Sequence, residues 1–453
     1  MLVCALVSVG CTSKQAPAHH APSTTTLAAT TGKIHWIEDD YARALAQANR
    51  EKKPLVIDGW ATWCTPCVAM RDDVLTDPSI QAIADRFVWL SLDDDHENIR
   101  PLELRHHIET LPTFVVVDPS HDAEVARWVG AADPRAFRRF LLSGERWYRI
   151  EGNVEMSPLD QLRASAEKNV VFGEPSITPG LFIKLLERAP NNWVSRDEVT
   201  TETLRAWIEV NDVSCSKLAS QALSNPPSAS AMARLDLVES ALACIELAGV
   251  PTQLRSEVES KAETALRALR AQDDSLSVED IDAAFVMQRS LALRRGDNDV
   301  ASSLAKERLD HLDRAAARCR DRKQSSRFDL LRAMAMVDVG QADLAVMMLR
   351  NSQAELTDEA DPTVRLATLL LHLKRYPEAL AEAKDGLAHT RGVRIARLLQ
   401  IKGDALVALG QAGEAKPVYE EALMRIEALP WAMRADRERE KLKAKLEALR
   451  ALP

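Results

Sequence analysis

Four stretches in the second half of the chain align without gaps: GDNDVASSLA from Gly296, GQADLAVMML from Gly340, KRYPEALAEA from Lys374 and GQAGEAKPVY from Gly410. Each is a polar turn with alanine at the sixth place, at Ala301, Ala345, Ala379 and Ala415. Four residues further on stand Ala305, Leu349, Ala383 and Tyr419, on the same face if the segment is helical. The last three stretches start 34 and then 36 residues apart, and the first two 44 apart. A unit of this length, with a small residue where one helix crosses another, points to stacked helical hairpins. One unit cannot bury its apolar face alone, so each must cover the next. A generic helical bundle would share the Ala- and Leu-rich composition. The spacing is what separates the two.

The last unit is the fullest. Gly403, Gly410, Ala415, Tyr419 and Ala422 stand at the spacing of the tetratricopeptide consensus, and this part of the chain resembles tetratricopeptide repeats. The resemblance is clearest over 280–430. Residues upstream also read as helical hairpins, though without a clean register, so an α-helical repeat domain is expected over 191–453, with linker or connecting helices over 151–190. The resemblance implies extended concave surfaces on which a protein partner docks.

Before residue 150 the texture differs. Apolar strands (PLVIDGW, VWLSLDDD, TFVVVD and AEVARWVG) alternate with helical stretches. DPSIQAIADRF and DPRAFRRFLLSGERW both open on Asp-Pro, a cap followed by proline in the first turn. The order β-α-β-α-β-α-β-β-α predicts an α/β domain over 33–150. Its sheet is expected to be mainly parallel, with an antiparallel edge.

Within that domain, Cys64 and Cys67 stand in PLVIDGWATWCTPC, between a strand end and a helix start. A structural zinc site takes four ligands, and no second CxxC or suitably spaced histidine pair accompanies this one. Two passive buried thiols fit poorly, because a strand opening into a helix exposes the first cysteine. The redox reading has positive physics. Cys64 would sit at a helix N-terminus, where unpaired N–H groups favour a thiolate. Cys67, one turn on, would be shielded by its own helix. Cys64 is therefore expected to attack a substrate disulfide and Cys67 to resolve the mixed disulfide, giving a redox-active Cys64–Cys67 pair. No metal and no cofactor beyond this pair are expected.

The segment PLVIDGWATWCTPC, followed by DPSIQAIADRFVWLSLDDD and ETLPTFVVVD, closely resembles the thioredoxin superfamily. It is most similar to periplasmic thioredoxin-like domains such as the one that ends the bacterial transmembrane disulfide reductases. The resemblance implies that Pro112 is a cis-proline beside the CxxC, that Leu111 and Trp63 contact bound substrate, and that Asp58 is a buried acid accepting a proton from Cys67. Two positions depart from the pattern. Gly59 stands where a large apolar residue is common, and Trp89 aligns where a lysine often pairs with the buried acid. Asp93, Asp94 and Asp95 read as a solvated strand end, and His96, His106 and His107 as surface residues. Cys215 and Cys244 could bridge two helices or remain core thiols, leaving Cys319 unpaired.

The chain begins MLVCALVSVGC, an apolar run ending in cysteine, and continues with a Ser/Thr/Ala/Pro-rich stretch. Residues 1–11 resemble a bacterial lipoprotein signal, which implies lipidation at Cys11, although no basic residue precedes Cys11 and Ser8 stands where leucine is preferred. Residues 12–32 read as a flexible linker. The chain is then expected to face the periplasm on a lipid anchor alone, as a reductant or isomerase of envelope-protein disulfides. A membrane-embedded thiol reductase would supply its electrons. A cytoplasmic fusion is the alternative location. An interaction scaffold with a structural or regulatory thioredoxin domain is the alternative function. The formal net charge of −9 gives no electrostatic footprint for nucleic acid.

Overall fold

The computed structural model describes residues 33–450 except 62–63, 109–110, 152–155, 173–175, 194, 226–230, 272–275, 358–360, 391–393 and 428–435. Cys11 and Trp63 lie outside the described residues. The chain opens with β1 (Trp36–Glu38), α1 (Tyr41–Glu51) and β2 (Leu55–Trp60). Next comes α2 (Thr65–Ala69), which runs on into a π-turn over Met70–Val74. Then follow α3 (Pro78–Gln81), β3 (Val88–Asp93), α4 (Arg100–Arg105), β4 (Thr113–Asp118), β5 (Ala123–Val129) and α5 (Pro134–Glu151). Asp77 caps α3 by accepting from the Ser79 amide, and Pro78 fills its first turn.

The strands form one sheet in the order β1-β3-β2-β4-β5. It is mixed rather than mainly parallel. β3 runs parallel to β1 and β2, whereas β4 is antiparallel to β2 and β5 to β4. Among the described residues between β3 and β4, the link holds one short α-helix, α4, entered through a 3-10 turn over Glu97–Ile99. The link stays at the end of the sheet where β3 finishes, so β4 must run back along β2. Strand periodicity reveals that β4 exists but not which way it runs.

β2 is the middle strand, and its side chains alternate between two cores. Leu55 and Ile57 join Tyr41, Ala44 and Ala48 of α1 on one face. Val56 joins Met70, Phe114, Phe137 and Leu141 on the other, the face covered by the α2 π-turn and α5. Asp58, two residues after Val56, shares that second face. His106, expected at the surface, is buried, only 4% exposed, its ring 5.1 Å from that of Tyr41. The turn that ends α4 folds back over α1, a tertiary contact that local composition does not report.

Beyond α5 the described residues are mostly helical, and successive helices pack on one another. Helix Asp361–His372 also touches Arg394–Ala408, two elements on, as stacked hairpins require. Gly403 makes such a crossing possible: a Cβ there would overlap the Tyr419 ring. The Tyr419 hydroxyl donates to Asp404 at 2.5 Å. Cys215 and Cys244, both buried, are bonded and join helices Cys215–Ser224 and Ala231–Ile245, with Cα atoms 6.1 Å apart. Cys319 is not bridged.

The two halves are held together by charge. Arg135 of α5 contacts Asp280 at 2.8 Å and Asp236 at 3.2 Å; Arg139 contacts Asp236 at 2.8 Å, and Arg138 contacts Glu198 at 3.1 Å. The π-turn after the cysteines is gripped as well. Arg320 pairs with Asp72 at 2.7 Å, and Arg327 pairs with Asp73. The Arg320 side chain is 72% exposed and that of Arg327 only 28%, so screening weakens the first pair more. Arg327→Ala should therefore raise amide hydrogen exchange at 70–75 by several-fold, with Arg320→Ala nearer twofold, a free-energy scale of about 1 kcal/mol or less for the exposed pair. Unchanged exchange in both variants would mean that these pairs do not hold the turn.

Candidate active site

β2 ends at Trp60 and α2 starts at Thr65, which leaves Cys64 as the N-cap residue. Its sulfur accepts from the Cys67 amide at 3.3 Å, and its carbonyl accepts from the Val68 amide at 3.0 Å. Cys64 and Cys67 are joined by a disulfide with Cα atoms 5.2 Å apart. Cys64 is 5% exposed and Cys67 1%, so both are buried. The turn from strand to helix does not expose the first cysteine as expected, because Leu111 and Ala61 pack over it, although it stays the more accessible of the two. The helix start gives Cys64 an N–H donor that a thiolate would keep, whereas Cys67 is enclosed by the helix it belongs to.

Three loops meet around this pair. The Leu111–Pro112 peptide is cis, and Leu111 packs against Ala61, Cys64 and Cys67. The Pro112 carbonyl accepts from the Gly130 amide at 2.8 Å, which ties this loop to the one after β5. Gly130 lies at φ +90, a conformation open to glycine. The Ala132 amide then donates to the Met70 sulfur at 3.2 Å, closing the circuit back to the cysteine helix. The Asp94 amide donates to the Trp60 carbonyl at 2.9 Å, so the acidic end of β3 also supports the strand end before the cysteines. Gly59 is explained by close packing: a Cβ there would stand 2.8 Å from a methyl carbon of Ile108.

Asp58 is 1% exposed on the cysteine-helix face of β2. Burial pushes its carboxyl up to about 6; the guanidinium of Arg71 opposes the rise, and Glu38 adds to it. Arg71 sits in the π-turn, four residues after Cys67, and reaches back to the sheet. Its Nε donates to Asp58 Oδ2 at 3.1 Å and its Nη2 donates to Ser91 Oγ at 2.5 Å. Arg71 was not among the expected site residues, since the family pattern places the cation on β3, where Trp89 is buried and its indole donates to the Ala84 carbonyl at 2.8 Å. The available signal was the four-residue spacing from Cys67, which puts Arg71 on the same side of the helix.

The raised pKa of Asp58 has a fixed sign in folding. Between the ordinary value of 3.8 and about 6, the folded chain holds a proton that the unfolded chain has released. Asp58 therefore lowers stability as pH rises through that window, and its contribution is level above it. Asp58→Asn removes this slope. Its stability relative to the unaltered chain should grow between about pH 4 and pH 6, by at most about 3 kcal/mol, read from the slowest-exchanging β2 and β3 amides. Equal pH slopes in the two proteins would refute the raised carboxyl.

Residues 36–119 match the family described as thioredoxin-like, and residues 286–451 match the tetratricopeptide repeat-like domain. The thiol:disulfide interchange protein DsbD of Salmonella typhi is 30% identical over 153 residues, 31% of this chain and 25% of that protein. A thioredoxin of Mycoplasma genitalium is 38% identical over 72 residues, 15% of this chain and 61% of that one. The chain thus spans under two thirds of either relative. A crystal structure of a tetratricopeptide repeat protein from Parabacteroides merdae aligns with 64% of this chain and 98% of its own, at 13% identity and a TM-score of 0.39. The chain joins a thioredoxin-like domain, matched over 36–119, to a tetratricopeptide repeat-like domain, matched over 286–451.

Proposed function

We propose that the chain is a thiol–disulfide oxidoreductase that reduces or isomerises disulfides in other proteins, with its helical array as the docking part. The observation that carries this reading is the Cys64–Cys67 disulfide at a helix start, packed against Leu111 of the cis Leu111–Pro112 pair. In the reduced form, the Cys64 thiolate attacks one sulfur of a substrate disulfide. The bond formed is Cys64–S–S–substrate, and the other substrate sulfur leaves as a thiolate and takes up a proton. Cys67 gives its proton to Asp58, and the Cys67 thiolate attacks Cys64. The Cys64–Cys67 disulfide forms, and the substrate thiolate leaves with the proton held on Asp58. Two electrons have moved to the substrate, and a membrane-embedded thiol reductase returns them to the cysteine pair. Leu111, Pro112 and Trp63 serve as the surface against which the substrate segment lies.

The location we propose is the periplasmic face of a membrane, with Cys11 as the lipid anchor. The buried Cys215–Cys244 bridge supports it, since a second disulfide remote from the site suits an oxidising compartment. Incorporation of labelled fatty acid that disappears in Cys11→Ser, together with an intact Cys215–Cys244 bridge in cell extracts, is the expected result. No label and two free thiols would place the chain in a reducing compartment instead.

The grip of Arg320 and Arg327 on the cysteine helix favours weighing a second reading, in which the array is an interaction scaffold and the thioredoxin-like part regulates it. Trapping separates the two. Cys67→Ala should accumulate mixed disulfides with other proteins on non-reducing gels, and these should vanish when Cys64→Ser is added. A chain that traps nothing, yet keeps a stable complex when Cys64→Ser is made alone, is a scaffold.

A further inference from the structure

We propose that Arg71 is a positioning residue for Asp58, supplying from the cysteine helix itself the cation that holds this buried carboxyl ready to take the Cys67 proton. The inference rests on the thiol–disulfide reading above and concerns how its proton step is set. Directly across the sheet from Asp58, β3 presents Ser91, which carries a hydroxyl and no charge. Two residues earlier β3 presents Trp89, already committed to the Ala84 carbonyl. The cation arrives from above the sheet instead. Arg71 Nε and Nη2 approach the same carboxylate oxygen, Oδ2, at 3.1 and 3.0 Å, and Nη2 also holds Ser91 Oγ.

The guanidinium has little freedom to leave this place. Its central carbon lies 3.4 Å from the centroid of the Trp60 ring and 5.0 Å from that of Trp36, so aromatic faces bracket the hydrogen-bonded edge. Trp60 is the last residue of β2 and precedes the cysteines, so one side chain joins the strand end, the buried acid and the cysteine helix. Both contacts fall on Oδ2, which directs the transferred proton to Oδ1. Among the described residues, Glu38 of β1 also acts on Asp58, and it disfavours a second carboxylate nearby. A guanidinium offers only N–H donors and no acceptor, so the proton from Cys67 passes to Asp58 and not to its partner.

Without Arg71, burial and Glu38 act on Asp58 unopposed and keep it protonated across a wider pH range. Resolution of the Cys64 mixed disulfide should then need a higher pH. In Arg71→Gln, the midpoint of the pH profile for single-turnover release of a disulfide-linked peptide should rise by about one unit or more. At pH values below the shifted midpoint, release should slow about tenfold. Arg71→Lys, which keeps the charge, should recover most of the loss. In an Asp58→Asn background, Arg71→Gln should change the release rate less than twofold, because the acceptor it positions is gone. The Asp58 carboxyl followed by carbon-13 NMR titration reports the same shift without any turnover. An unmoved carboxyl titration, or an equal slowing in the Asp58→Asn background, would overturn the proposal. Failure of Cys67→Ala to trap any mixed disulfide would instead defeat the thiol–disulfide reading, and the NMR titration would still decide what Arg71 does to Asp58.

Discussion

The candidate site hangs from the end of one strand. β2 is central in the sheet, flanked by β3 and β4, so its position is fixed by hydrogen bonds on both sides. Its residues alternate between two apolar cores, which leaves Asp58 no choice of face. From Trp60 the chain turns into α2, and the turn itself presents Cys64. The same geometry brings Thr113 opposite Gly59, so β4 starts beside the place where β2 ends. The cis peptide at Leu111–Pro112 therefore reaches the cysteine pair because β4 runs antiparallel. A mainly parallel arrangement would have sent the start of β4 to the far end of the sheet.

Burial and a neighbouring cation act in opposite directions on the carboxyl enclosed there. For Asp58 burial favours the neutral acid, and Arg71 opposes but does not cancel that preference. A fully compensated ion pair would hold its proton too weakly to exchange it near neutral pH. An uncompensated carboxyl would not release it. The arrangement between these limits requires a cation that is close but partly solvated, and the Arg71 side chain is 20% exposed. Its guanidinium lies over Trp60 and Trp36, which supply attraction without adding charge.

What could be read in the sequence was local. The CxxC, Asp58 six residues before it and the alanines of the hairpin units are set by spacing along one element, and spacing is what a sequence displays. Arg71 was displayed too, four residues past Cys67, but its partner on β2 is a tertiary fact. The burial of His106 depends on how α4 meets α1. The Cys215–Cys244 bond depends on two helices crossing with their thiols face to face. The direction of β4 depends on where a link with one short helix can reach. Each of these is decided by elements distant in the chain, and composition carries no trace of them. The ion pairs between the two halves were hidden for the same reason: DD at 72–73 and the arginines at 320 and 327 are ordinary surface residues until the fold brings them together.

α5 explains why the two halves meet as they do. Phe137 and Leu141 lie on the face that covers the sheet. Arg135, Arg138 and Arg139 fall at helical spacing on another stripe, and their carboxylate partners Glu198, Asp236 and Asp280 come from three different helices of the array. One helix thus serves as the last layer of the α/β half and as the first surface against which the hairpins stack. Turning one half against the other would leave several partly buried charges unpaired at once, which costs far more than any single exposed pair. The array is consequently not a uniform set of docking faces. Its upstream hairpins and the turn around Arg320 are committed to the thioredoxin-like half. Any docking role must fall to faces outside that contact, and the hairpins from Ala342 onward show none of these cross-half ion pairs among the described residues. A partner seated there would be held in fixed geometry to the cysteine helix, because the same turn that carries Arg71 is the one the array grips.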